Sequence, residues 1–324
     1  MKAIMIGIIA SIFFSSTFII NRSIDLEGGS WYYSASLRFF FMIPFLLLIV
    51  FFKGGITPVI SEMKKNPIQW LLWSFVGFVL FYAPLTIAAA YGPGWLVAGT
   101  FQLTIIAGVL LSPLFFISNE KNGWQKQVRQ KIPIKALWPS LFILFGIFLI
   151  QMQQSESITW TILLVSTLPV VIAAFAYPLG NRKMMELCEG RLNSFQRVLG
   201  MTMASLPWWL LLFLYGFSKE GAPPTHQIYQ TFLVALFAGV IATVLFFYAT
   251  DLVRNQPENL AAVEATQSGA VFFAVLGEIV LLAAPTPGLS SLIGLGCIIV
   301  GMIVHSFITS RNQKLMAQGR ILKS

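Results

Sequence analysis

Charge is what this sequence has least of. Only 10% of its 324 residues are charged, against about 25% in soluble globular chains, so water is not the solvent of most of its surface. It holds two cysteines, Cys188 in a polar stretch and Cys297 inside an apolar run, which make neither a disulfide framework nor a metal-ligand spacing. Both read as inert thiols. Two histidines on different segments do not supply the His, Asp or Glu cluster that a membrane enzyme acting on lipid headgroups needs. There is no Gly-x-x-x-x-Gly-Lys-Ser/Thr phosphate loop and no His-Glu-x-x-His, Gly-x-Ser-x-Gly or Cys-x-x-Cys motif, so ATP hydrolysis by that route is excluded. The chain reads as no enzyme, with no metal and no cofactor. Its net charge of +9 does not point to nucleic acid, because Lys and Arg fall between apolar runs instead of lining a helix face or an aromatic platform.

What the sequence has is long apolar runs. Hydrophobic residues make up 57% of it, and at about 20 residues per spanning helix a chain of this length holds about ten spans and no separate soluble domain. Runs at 3–20, 31–52, 67–90, 95–117 and 136–152 form a first half, and runs at 158–180, 195–217, 228–250, 260–284 and 289–308 a second. The first run, after Lys2, ends in Asn21-Arg22 without a small-x-small cleavage pattern and has a mid-chain counterpart, so it reads as a mature helix and not a signal peptide. Alternate connections differ sharply in basic residues. One set holds seventeen Lys and Arg, including Lys53, Lys64, Lys65, Lys126, Arg182 and Arg254, while the other holds Arg22 and Lys219 alone. Basic residues stay on the cytoplasmic side, which places both termini there.

The halves match in order. Asn21-Arg22 recurs as Asn181-Arg182, Arg38 as Arg197, and Pro93, Leu96 and Ala98 as Pro257, Leu260 and Ala262, just before Gln102 and Gln267. Five spans per half is an odd number, so the second copy enters the membrane from the opposite side. The expected fold class is an all-α integral membrane protein of ten transmembrane helices in two inverted five-helix repeats, N-in and C-in. The first repeat covers 1–154, the second 155–310, and a basic cytoplasmic tail 311–324. Inverted repeats are typical of secondary transporters, whose halves exchange conformations around a midplane site.

A family resemblance rests on these residues. The inverted five-helix halves, the Arg38-Phe39 pair opening the second span, the Pro257-initiated helix ending in Gly277-Glu278 and the following glycine-rich run with Gly294, Gly296 and Gly301 resemble the drug/metabolite transporter superfamily. Within it they are similar to the branch of multidrug resistance efflux transporters. The resemblance covers essentially the whole chain. It departs in the fourth span, where Leu114 stands at the position matching Glu278. The resemblance implies a central cavity lined by spans one, three, four, six, eight and nine.

Ionisable side chains in hydrocarbon are functional candidates by default, and Arg38, Arg197, Glu264 and Glu278 stand out. On one continuous helix, Glu264 and Glu278 lie about 40° apart around the axis and about 21 Å along it. Gln267 and Ser268 follow Glu264 by one turn, and a polar strip of this kind belongs in the bundle interior or against a water-filled cavity. Glu264 is either a carboxylate that binds a cation or exchanges a proton, or the partner of Arg197 in a structural ion pair. Glu278 reads as a partner of Arg38 that either holds permanently or opens as a gate. The two arginines either snorkel as anchors or hold an anionic group of a substrate. In the fourth span Thr100 and Gln102 are substrate candidates, with Thr104, Gly108 and Ser112 nearby, though hydroxyls in membrane helices often bond their own backbone. Tyr82, Tyr177 and Tyr248 lie inside spans and serve either as aromatic walls or as core. Trp31, Trp70, Trp95, Trp138 and Trp160 sit near span ends as belt anchors, and His305 reads as interfacial. Pro84 and Pro178 bend their spans.

The functional expectation is secondary active transport of small organic molecules in the cytoplasmic membrane. The favoured version is proton-coupled efflux of lipophilic or cationic compounds, with Glu264 as the exchanging carboxylate. The alternative is an exporter of an amino acid, an anionic metabolite or a lipid-linked substrate. The implied partners are a small molecule, protons or another coupling ion, and the lipid bilayer. Glycine-lined tenth spans suit either a homodimer or packing within one chain.

Overall fold

Hydrocarbon offers backbone groups no water to bond, so an apolar run satisfies its N–H and C=O groups within itself, as helix. The structure, a computed structural model, describes residues 1–91, 94–121, 124–132, 134–154, 159–281 and 288–321. Helices α1 (Lys2–Leu26) and α2 (Trp31–Phe52) are followed by a short α3 (Thr57–Lys65). A third rod joins α4 (Pro67–Ser74) and α5 (Leu80–Tyr91) through a π-helical segment, Phe75–Val79, and a fourth is split into α6 (Gly94–Phe101) and α7 (Leu103–Leu110). A hairpin of β1 (Phe116–Lys121) and β2 (Trp124–Arg129) leads to α8 (Ile134–Gln154). Then come α9 (Trp160–Cys188), α10 (Ser194–Glu220), and α11 (Thr225–Val234) joined to α12 (Thr243–Asp251) through the π segment Ala235–Ala242. The last two rods are α13 (Pro257–Ala265) with α14 (Gly269–Leu281), and α15 (Leu289–Ile321).

Seven stretches, among them Trp31–Phe52, Pro67–Tyr91 and Thr225–Asp251, are long and apolar enough to cross a membrane, and Leu96–Leu110, Leu137–Ile150 and Leu289–Val304 are shorter apolar helices. Large apolar side chains such as Leu48, Phe148, Leu211 and Phe307 stand exposed on their outer faces, where only lipid is a suitable solvent. The chain is a helical, multi-pass membrane protein.

Several boundaries differ from the sequence reading. Helix α1 continues through Asn21-Arg22, and α9 through Asn181-Arg182 to a buried Cys188. The Lys-Met-Met-Glu-Leu stretch after Arg182 consists of good helix formers that extend the helix past the apolar run. The fourth span stops at Leu110 instead of Ile117, in a 3-10 turn at Ser112–Leu114, because Pro113 lacks the N–H a continuing helix needs. The polar connection after it pairs as an antiparallel ladder, Phe116 opposite Arg129 and Lys121 opposite Trp124. Helix α3 begins with Pro58 and ends with Lys64 and Lys65, which complements its dipole. A capping box of Asn193 and Gln196 starts α10. Trp138 and Trp160 are exposed as belt residues should be, but Trp70 is buried against Gly200 of α10 and anchors no interface. The side chains of Trp95 and His305 lie outside the described residues. The glycine seam of α15 is used inside the chain, since a Cβ on Gly294 would stand 2.4 Å from the Gly146 carbonyl of α8.

Candidate functional site

The fourth and ninth rods both break in mid-course, each at a glutamine. Gln102 is the joint between α6 and α7, and Gln267 is the middle residue of the 3-10 turn Thr266–Ser268 between α13 and α14. Three residues of 3-10 geometry advance the helix about 60° beyond an α-helix. The single face drawn from Glu264 to Glu278 is therefore not continuous. The side chain of Glu278, and with it the expected pair with Arg38, lies outside the described residues.

Both glutamines are buried, and each leaves one amide atom without a protein partner. Gln102 Nε2 donates to the Ala98 carbonyl at 3.2 Å, which leaves its Oε1 free, and Gln267 leaves its Nε2 free. They face a common cavity with Arg38, Thr17 and Tyr177. Arg38 is 2% exposed, its guanidinium carbon 3.9 Å from the centre of the Tyr82 ring. Its Nε has no acceptor, and among the described residues no carboxylate lies within ion-pair distance of it. Thr17 Oγ1 and the Tyr177 hydroxyl also lack partners. Native proteins leave few buried polar atoms unsatisfied. Five around one cavity mark it as a place where something else supplies the bonds. Phe81 and Tyr177 wall it, their ring centres 4.5 Å apart. The water-accessible space is about 20 Å³, room for about one water molecule.

Two contacts flank this space. At the lysine- and arginine-rich end, Glu264 lies one turn before Gln267 and is gripped in a two-bond fork by Arg182, Nε to Oε1 at 2.8 Å and Nη2 to Oε2 at 2.6 Å. Both side chains are 3% exposed. Beyond Arg182 opens a cleft of about 280 Å³ lined by Phe115, Met185, Glu189, Arg254 and Leu260 among others. Gly108 of α7 makes room for the fork, since a Cβ there would stand 1.9 Å from Glu264 Oε2 and 3.3 Å from Arg182 Nη2. At the other end, Asn21 Nδ2 donates to the Tyr82 hydroxyl at 3.3 Å. Asn21 in turn borders a small space shared with Trp31, Ser34 and Thr86.

The expected pair of Glu264 with Arg197 does not form. Arg197 is bound by Asp251 at 2.5 Å, and its Nη2 donates to the Phe247 carbonyl at 3.2 Å and to Asn181 Oδ1 at 3.5 Å. The two arginines thus differ in charge pairing. Arg197 meets a carboxylate, although its Nε, like that of Arg38, has no acceptor, while Arg38 faces the cavity with no carboxylate against it among the described residues. The position in the first half that matches Asp251 is Tyr91, which supplies no charge.

The other candidates fall into place around this. Thr100 is buried on α6 next to the joint, but outside the cavity lining. Ser268 bonds back to the Ala265 carbonyl at 2.7 Å, as Ser11 and Ser15 do within α1. Tyr82 lines the cavity, whereas Tyr248 is 39% exposed and faces outward. The second span, through Arg38, lines the cavity where the eighth was expected. Thr17 and Asp251 were not named from sequence, and Gly108 and Arg182 were named there without a role at the site. Arg182 had been counted with the connection residues, and its helical position inside the bundle carries no local signal beyond the Asn-Arg repeat. Among the described residues no three His, Cys, Asp or Glu side chains group as a metal site. Outside the spans, Glu62 of α3 binds Lys65 at 2.6 Å and Arg191 at 3.2 Å. The bond from Lys65 foremost, and the Arg191 guanidinium with it, hold its carboxyl below the usual carboxylate range against the opposing effect of burial.

Broken helices meeting at a mostly apolar cavity with a few unpartnered polar groups, in a multi-pass bundle, are the arrangement of a membrane transporter. Residues 1–311 match the family model described as "EmrE: Putative multidrug resistance efflux transporter", and the chain belongs to that family. It is 60% identical over 322 residues to the "Uncharacterized protein YjlA" of Bacillus subtilis (strain 168), with 99% of both chains covered. It is 53% identical over 269 residues to the "Uncharacterized 42.1 kDa protein in intracellular alkaline protease 3'region" of Shouchella clausii, covering 83% of this chain and 70% of that one. A solved crystal structure shares the fold at TM-score 0.70 and 15% identity, covering 96% of this chain and 98% of the other.

Proposed function

We propose that this protein is a secondary active transporter that exports small organic molecules across the cytoplasmic membrane by alternating access. Its ten spans form two inverted five-helix repeats, with both termini and the basic end cytoplasmic. The observation that carries the reading is the cavity at the two helix breaks, with five unpartnered polar groups and a flanking contact on either side. Repeat symmetry supports it. The π segments begin at Phe75 and Ala235, 160 residues apart, and the breaks fall at Gln102 and Gln267, so the same bends recur in both halves.

The Arg182–Glu264 fork is the cytoplasmic gate. Opening it would leave a bare carboxylate in the interior, at a cost of several kcal/mol. A proton taken up by Glu264 removes that cost, and its release lets the fork close again. Gate movement is thereby coupled to protons through Glu264.

The test is independent of substrate. In protein carrying Cys188→Ser and Cys297→Ser, Ala270→Cys puts one thiol in the cavity, and a membrane-impermeant maleimide is applied to oriented vesicles from either side. The expected result is slow labelling from the cytoplasmic side that Glu264→Gln accelerates about tenfold or more, as loss of a charge-assisted bond would. A thiol that labels from neither side in any variant would sink the transport reading.

A further inference from the structure

The open groups around the central cavity are not balanced in charge. Arg38 and Gln267 Nε2 are donors, Gln102 Oε1 is an acceptor, and the Thr17 and Tyr177 hydroxyls serve as either. Among the described lining residues Arg38 carries the only charge, and no carboxylate faces it. Arg197, its counterpart in the second half, has its charge met by Asp251 and its Nη2 by two further acceptors, although its Nε too is unpartnered. Arg38 lies over the ring of Tyr82, which takes up no N–H group of the guanidinium by hydrogen bonding. A buried guanidinium with open donors attracts an oxyanion and repels a cation.

We propose that the cavity binds a small organic anion with a planar body. Its carboxylate or equivalent oxyanion group is seated on Arg38 and Gln267 Nε2, a donor of the ligand meets Gln102 Oε1, and its flat body lies along Phe81 and Tyr177. The space of about 20 Å³ means that such a ligand enters only with one of the two flanking contacts parted and the ring walls spread. This inference rests on the transport reading but departs from an expectation of cationic cargo.

The test uses the Ala270→Cys protein in vesicles and three probes that share one ring and differ in charge: benzoate, benzamide and benzylamine. Each is titrated for protection of the thiol from maleimide. Benzoate should protect at a concentration at least about tenfold below the other two. Arg38→Gln should weaken benzoate protection by about 10- to 150-fold, the span expected for a charged hydrogen bond, while moving benzamide little. Arg38→Lys should recover part of the loss, because charge returns without the fork. Should Arg38→Gln fail to fold, Gln267→Met serves instead, with a loss of about two- to tenfold. Protection by benzylamine equal to that by benzoate, protection by benzoate that survives Arg38→Gln, or no protection by any probe would each overturn the anion site. In all three cases labelling of the thiol itself still stands as support for transport. A thiol that never labels removes both.

Discussion

Gly108→Ala tests the gate with a single methyl group. The new Cβ would stand 1.9 Å from Glu264 Oε2 and 3.3 Å from Arg182 Nη2, far inside van der Waals contact. The carboxylate must move, and the fork of 2.8 and 2.6 Å bonds loses at least one of its two members. A hydrogen bond to a charged group contributes about 1.5–3 kcal/mol, so the gated state loses about that much. The open state, with the fork already parted, loses nothing. Alanine also improves helix propensity by about 1 kcal/mol over glycine, but α7 gains this in both states and the equilibrium between them does not feel it. Cytoplasmic labelling of the Ala270→Cys thiol should therefore rise about 10- to 150-fold. Gly296→Ala is the control, because a Cβ there meets nothing within 4 Å. Unchanged labelling in folded Gly108→Ala protein, or equal acceleration in Gly296→Ala, would refute the argument that the fork closes the cavity.

The surroundings of the two buried arginines should respond differently to loss of charge. Asp251→Asn strips the partner from a buried Arg197 and should cost about 3–5 kcal/mol, seen as a lower unfolding temperature in detergent, whereas Arg38→Gln leaves no charge bare and should shift it little. Equal losses would mean that Arg38 is structural. The carboxyl of Glu62 is held below its ordinary range, so its contribution to stability is complete above the unfolded value of about 4.5 and fades as pH falls through the lower folded value. Lys65 and Arg191 are 58% and 43% exposed, which limits that contribution to under about 1 kcal/mol. Glu62→Gln should lower thermal stability slightly at pH 7 and flatten the acid decline below about pH 4.5, and an unaltered decline would remove Glu62 from it. Tyr248→Leu should leave thiol labelling and benzoate protection as they were, since that ring faces outward. A marked change would require the eighth rod to line the pathway.

How far the sequence can be read depends on whether the determining force is local. Spans followed from apolar length alone, since a run such as 31–52 has only one way to satisfy its backbone in lipid, and it forms the helix Trp31–Phe52. An expectation of two related halves came from residues that recur in the same order, Asn21 with Asn181 and Gln102 with Gln267. Burial of Glu264 and Gln267 could be argued from their setting within apolar stretches, whereas Arg38 read equally as a snorkelling anchor. Partnership could not. Whether Glu264 meets Arg182 or Arg197 depends on how α9, α10 and α13 are rotated against one another, and the sum of many packing contacts decides that rotation. Glycine at 108 had no meaning until a carboxylate was found against it. In the same way, tertiary structure alone separated Arg197, whose charge is paired with Asp251, from Arg38, which among the described residues meets no carboxylate. Sequence by itself determined a helical membrane protein, because hydrophobic length is a property of the chain. Which charges are paired and which face the cavity was decided only by the fold, because side chains as far apart in sequence as Arg182 and Glu264, or Arg197 and Asp251, become neighbours through packing.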